Sequence, residues 1–110
     1  YNIYKKVVLI MNFITELDYK IGQNIKNIRI KLNLSSLHLG DYLNVSSSFI
    51  RSVENGKSKY NIRHIYLIIA LFNEKDPAIT FDLIMPEIEE NLILDLQAIK
   101  KVDNKYIKDE

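Results

Sequence analysis

Few side chains in this 110-residue chain are of the types that do covalent chemistry. The two histidines, His38 and His64, fall on different predicted helices. Neither has the neighbours at metal-ligand spacing that a zinc or iron site requires. His64 is therefore expected to be packed or half-exposed rather than a ligand. Cysteine is absent, which removes disulfides, thiolate metal sites and thiol nucleophiles and fits a reducing, cytoplasmic setting. No glycine-rich phosphate loop and no nucleophile-elbow sequence occurs. The expectation is a protein that is not an enzyme, with no cofactor and no metal.

What the side chains can do is meet a polyanion. Net charge is only +1, but it is unevenly spread. Residues 1–19 are neutral overall. Residues 20–73 carry eight Lys and Arg against only Asp41 and Glu54, a net +6, whereas residues 74–110 carry five lysines against ten acids, a net −5. A basic middle beside an acidic end is a footprint of nucleic-acid binding. The longest apolar stretch, Val7 to Met11, ends at Asn12, far short of the ~20 residues of a membrane span. Lys5 and Lys6 precede it without a small-residue cleavage site after it, so the stretch reads as an amphipathic helix and not as a signal peptide.

Helices must position these charges. Glycine and proline are scarce and no run alternates long enough for a strand, so the expected fold is all-α, with five to seven helices. Ile3, Val7, Ile10, Ile14, Leu17 and Ile21 form one helical stripe. Asp18 is expected to cap a second helix carrying Ile25, Ile28 and Leu32, with the joint near residues 18–20. Ser35 caps a short helix, Ser36 to Leu43, which Asn44 ends by adopting a left-handed conformation. Ser46 caps Ser47 to Asn55, which Gly56 ends. Asn61 caps a helix expected to face Ile62, Ile65, Ile68, Ile69 and Phe72 inward. Asp76-Pro77 reads as a further helix start, carrying Ile79, Leu83 and Ile84 and broken at Pro86. Glu87, Glu89 and Glu90 then suit the N-terminal end of a last helix, and Lys100 and Lys101 its C-terminal end. Its expected stripe is Ile88, Leu92, Leu96, Ile99 and Val102.

Two short helices joined by a three- to four-residue turn, the second with a polar outward face, make a helix-turn-helix. The stretch from Leu34 to Lys57 resembles the Xre family, the lambda-repressor-like helix-turn-helix domains. Its most specific piece is Val53-Glu54-Asn55-Gly56-Lys57, with Ile50 and Val45 at the expected spacings. Ile21 to Arg29 is similar to that family's first helix and Asn61 to Asn73 to its fourth. The resemblance covers roughly residues 21–73, half of the chain. It implies a four-to-five-helix domain over residues 20–74, with an N-terminal helical extension over 1–19 and an acidic helical region over 75–110. Gly40 stands where the family usually has alanine, Asn44 where it has glycine. Arg29 and Glu54 match positions that often form an ion pair.

By the same resemblance the chain is a DNA-binding transcriptional regulator, expected to be a repressor, with the helix from Ser47 to Asn55 in the major groove. The implied base-facing residues are Ser36, Ser47, Ser48, Arg51 and Ser52. Of these only Arg51 is long and charged; arginine pairs bidentately with guanine, whereas serine gives one permissive hydrogen bond. The implied phosphate contacts are Ser35, Ser46, Asn55, Lys57 and Lys59. The implied partners are double-stranded DNA and a second copy, with a toxin or regulator as a possible protein partner. The acidic helices are the first candidate dimer element and the N-terminal stripe the second. So bland a reading face leaves an alternative open: a degenerate helix-turn-helix that serves as a protein-interaction module, such as an anti-repressor or an adaptor.

Overall fold

The computed structural model describes residues 13–98, and among these every regular element is helical. The first helix, α1 (Glu16–Lys31), starts because Thr15 closes a capping box. The Thr15 hydroxyl accepts from the Asp18 amide at 3.0 Å, and the Asp18 carboxylate accepts from the Thr15 amide at 2.9 Å. The two side chains thus satisfy orphan amides reciprocally. Asp18 is therefore the third helical residue and not the cap. The expected joint at residues 18–20 is corrected to a helix start at Glu16, and α1 runs across the expected boundary between 19 and 20. The rest of the N-terminal stripe, Ile3, Val7 and Ile10, lies outside the described residues.

Three helices in succession end on a residue with positive φ. Asn33 (59°) follows α1, Asn44 (60°) follows α2 (Ser36–Leu43), and Gly56 (80°) follows α3 (Ser47–Glu54). In each case the next amide turns back onto a helix carbonyl: Leu34 to Arg29 at 3.0 Å, Val45 to Gly40 at 2.9 Å, Lys57 to Ser52 at 2.9 Å. Asparagine and glycine tolerate this conformation, and the returning bond satisfies a carbonyl that the helix leaves orphaned. The stops expected at Asn44 and Gly56 are observed.

The fourth helix, α4 (Ile62–Lys75), is capped at Asn61. Ile65, Ile68 and Phe72 are buried as expected, Ile69 is partly buried, and Ile62 is 73% exposed. At 3.6 residues per turn Ile62 lies about 120° round the helix from Ile68, beyond the buried face. The core joins Ile25 of α1, Leu39 of α2, Ile50 of α3 and Ile68 and Phe72 of α4.

The acidic end departs from expectation. Asp76-Pro77 does not start a helix. The Asp76 carboxylate accepts from the Ala78 amide at 3.0 Å, and the Asn73 side-chain amide donates to the carbonyls of Pro77 and Ile79. This local turn uses the side chain that would have capped a helix. A four-residue α5 (Phe81–Ile84) forms instead. Ile79 and Ile84 are buried in the core shared with α1 to α4, whereas Leu83 is exposed. The Asn24 side chain donates to the Ile84 carbonyl at 2.8 Å, and Lys20 meets Glu89 at 3.4 Å. The expected division at residue 75 therefore does not interrupt the core. The last helix, α6, begins at residue 90 and is described to 98. Leu92 is buried, but Ile88 precedes the helix and is 90% exposed. Ile99, Lys100, Lys101 and Val102 lie outside the described residues.

Candidate nucleic-acid interface

The three-residue turn from Asn44 to Ser46 sets α2 against α3. A Cβ added at Gly40 would stand 2.8 Å from the Val45 carbonyl oxygen and 3.3 Å from the Ser47 nitrogen. The turn backbone lies so close that even alanine, the usual residue in the resembled family, would force it to move. Gly40→Ala is expected to destabilise the fold by about 1–3 kcal/mol through this overpacking. The denaturation midpoint would measure it; an unchanged midpoint would mean that the turn relaxes freely.

Serines start both helices. The Ser35 hydroxyl accepts from the His38 amide and the Ser46 hydroxyl from the Phe49 amide, each at 3.0 Å. Such a cap leaves the hydroxyl proton free to donate outward. Ser35 and Ser46 are both exposed and Ser36 is half-buried. Among the described residues no hydrogen bond ties Ser35 or Ser36 to α3.

On α3 the inner face is Ile50 and Val53, with Phe49 half-buried. Ser48, Arg51 and Asn55 are exposed at spacings of three and four, which places them along one stripe. Ser47 and Ser52 are half-buried. Arg51 Nη2 donates to the Ser48 hydroxyl at 3.3 Å. This draws the guanidinium toward the N-terminal end of α3, the end that a recognition helix presents to base edges.

The opposite, C-terminal end of α3 is fastened on its inner side by charge. Arg29 Nε lies 2.8 Å from Glu54 Oε2 and Nη2 lies 3.1 Å from Oε1, a bidentate pair. Arg29 Nη1 donates to the Leu34 carbonyl at 2.6 Å. The Arg29 and Glu54 side chains are only 11% and 7% exposed. The expected ion pair is thus present and buried. Sequence reasoning missed Gln23, whose side chain donates to the Glu54 carbonyl at 2.7 Å and so ties the last turn of α3 to α1. No local pattern marks a glutamine that bonds a backbone carbonyl so far along the chain.

Beneath the basic loop, Phe49, Tyr60 and His64 form an aromatic cluster with ring centroids 5.4–6.1 Å apart. The Tyr60 hydroxyl is buried and has no hydrogen-bond partner among the described residues. Burial raises its pKa, the Glu54 charge adds to that, and Arg29 opposes it. His64 is buried, and its Nδ1 accepts from the Asn61 amide at 3.1 Å while the Asn61 side chain accepts from the His64 amide at 2.8 Å. Burial, and secondarily the charge of Arg63, lower the His64 pKa.

The folded state therefore sheds this proton more readily than the unfolded chain, whose histidines titrate near the ordinary value of about 6.5. The stabilisation is complete above that value and is lost progressively as pH falls toward the folded value. Denaturation at roughly pH 7.5 and pH 5 is expected to show a loss in the wild type that His64→Gln reduces, since glutamine keeps the capping box without titrating. Equal losses in the two proteins would exclude His64 as the source.

The loop after α3 carries Asn55 and Lys57, both exposed. Lys59 is engaged by its own chain: Nζ donates to the Phe13 carbonyl at 3.3 Å and stands 3.9 Å from Asp18 Oδ2. Among the described residues no group of His, Asp or Glu could hold a metal. No described helix is long and apolar enough to cross a membrane. Compared with family models, curated proteins and solved structures, the chain matches none.

Proposed function

We propose that this chain is a sequence-specific double-stranded DNA-binding regulator of the Xre type, a dimeric cytoplasmic repressor that reads the major groove with α3. The observation that carries the reading is the two-sided character of α3. Its apolar side and Glu54 are fixed inside by the core and Arg29, while Ser48 and Arg51 stand on its exposed side with the Asn55–Lys57 loop at its end. Arg51 supplies bidentate readout, and the serine caps, Asn55 and Lys57 supply phosphate contacts that set register. Exposed Phe81, Leu83, Ile93 and Leu94 make the acidic end the favoured dimer element.

The test is selection of duplexes from a random pool with the full chain, then fluorescence-polarisation titration of a selected and an unrelated duplex at two salt concentrations. Specific binding is expected to exceed unrelated binding by at least about 10³-fold. Both affinities should fall with salt in proportion to the phosphates contacted. Failure to enrich any sequence, with only weak and equal binding, would favour the protein-interaction module instead.

A further inference from the structure

One residue of α3 is fastened to the basic loop at two points. The Ser52 carbonyl accepts from the Lys57 amide at 2.9 Å, and the Ser52 hydroxyl oxygen lies 2.7 Å from that of Ser58. Between them Gly56 holds φ at +80°, and a Cβ there would meet the Tyr19 ring at 3.2 Å. The loop is thus pressed onto α1 at Gly56 and clasped to α3 at residue 52. Among the described residues the Ser52–Ser58 bond is the side-chain link between the loop and α3.

The resemblance to the Xre family places Ser52 among the base-facing residues, yet its side chain is half-buried and its hydroxyl is engaged. That bond holds the hydroxyl toward Ser58 of the loop. We infer that Ser52 is a positioning residue for phosphate binding and not a base reader: its clasp with Ser58 holds the Asn55–Lys57 loop at a fixed height beside α3, where a phosphodiester of the bound duplex would lie. In the clasp one hydroxyl donates and the other accepts, and the accepting one keeps a proton that can be donated to a phosphate oxygen. The inference rests on the DNA-binding reading above and assigns base readout on α3 to Ser47, Ser48 and Arg51.

The clasp is a neutral hydrogen bond, so its loss is expected to weaken binding by roughly 3- to 10-fold. Ser52→Ala, Ser58→Ala and the double variant should weaken a selected and an unrelated duplex equally, leaving their affinity ratio unchanged. The double variant should lose no more than either single one, because both remove the same bond. The salt dependence should become shallower by about one phosphate contact. Ser52→Thr, which keeps a hydroxyl, should restore affinity. Circular dichroism melts would establish that each variant is folded under the assay conditions.

A changed affinity ratio in Ser52→Ala with none in Ser58→Ala would overturn the inference and return Ser52 to base readout. Unaltered binding by all three alanine variants, beside a wild type that binds, would overturn the clasp alone. A wild type that binds no duplex would overturn the DNA-binding reading itself, and with it the role of the clasp.

Discussion

Glu54→Ala is expected to destabilise the fold by about 3–5 kcal/mol, the usual cost of removing one partner from a buried ion pair. The Arg29 guanidinium would stay in place, because Nη1 still donates to the Leu34 carbonyl, but its charge would lose both carboxylate oxygens. A side chain 11% exposed has little water to take their place. The loss is a large fraction of the roughly 5–15 kcal/mol that holds a small domain folded.

Removing both charges should cost much less. Arg29→Met with Glu54→Leu leaves no stranded charge, and such apolar replacements are often neutral. Urea denaturation of the wild type, both single variants and the double variant closes the cycle. Single-variant losses below about 1 kcal/mol would mean that the pair behaves as a solvated surface contact. The functional consequence follows from position: Glu54 ends α3, and its carbonyl is also held by Gln23. Loosening this end would let the exposed stripe of α3 turn relative to α1.

Arg51→Ala is expected to reduce the sequence preference while leaving the fold intact. Arg51 is exposed, and its side chain's only hydrogen bond among the described residues is to Ser48. Its loss should therefore change stability by no more than about 0.5 kcal/mol. One bidentate arginine–guanine pair is worth about 1–3 kcal/mol of discrimination, or roughly 5- to 150-fold. That loss should appear on the selected duplex, and only weakly on an unrelated one, in the titration described above. An affinity ratio unchanged in Arg51→Ala would exclude this side chain as the reader. The contrast with Ser52→Ala is informative, because one substitution should change the ratio and the other only the overall affinity.

The helix limits around the candidate interface were legible because their causes are local. Ser35, Ser46 and Asn61 each bond an amide three residues ahead, and Asn44 and Gly56 take the left-handed conformation that closes a helix. The same locality misled at Asp76-Pro77, where the carboxylate bonds the Ala78 amide in a turn and a different but equally local choice wins. Apolar stripes indicated which side of α3 and α4 faces inward. They failed at Ile62, the first residue of α4, and at Ile88, two residues before α6, both of which are exposed.

The Arg29–Glu54 pair was read from resemblance to a family and not from spacing, since nothing in the intervening residues brings the two together. Local side-chain-to-backbone bonds span a few residues, so the chain by itself determined an all-helical fold, its caps and stops, and a serine-rich α3 followed by a basic loop. Only the tertiary structure decided that Gln23 and Asn24 hold the carbonyls of Glu54 and Ile84, that Ile79 and Ile84 complete the core, and that Ser52 turns to Ser58. Those outcomes depend on which surfaces meet when the helices pack, and a side chain's partner across a packed interface has no periodic trace in the sequence.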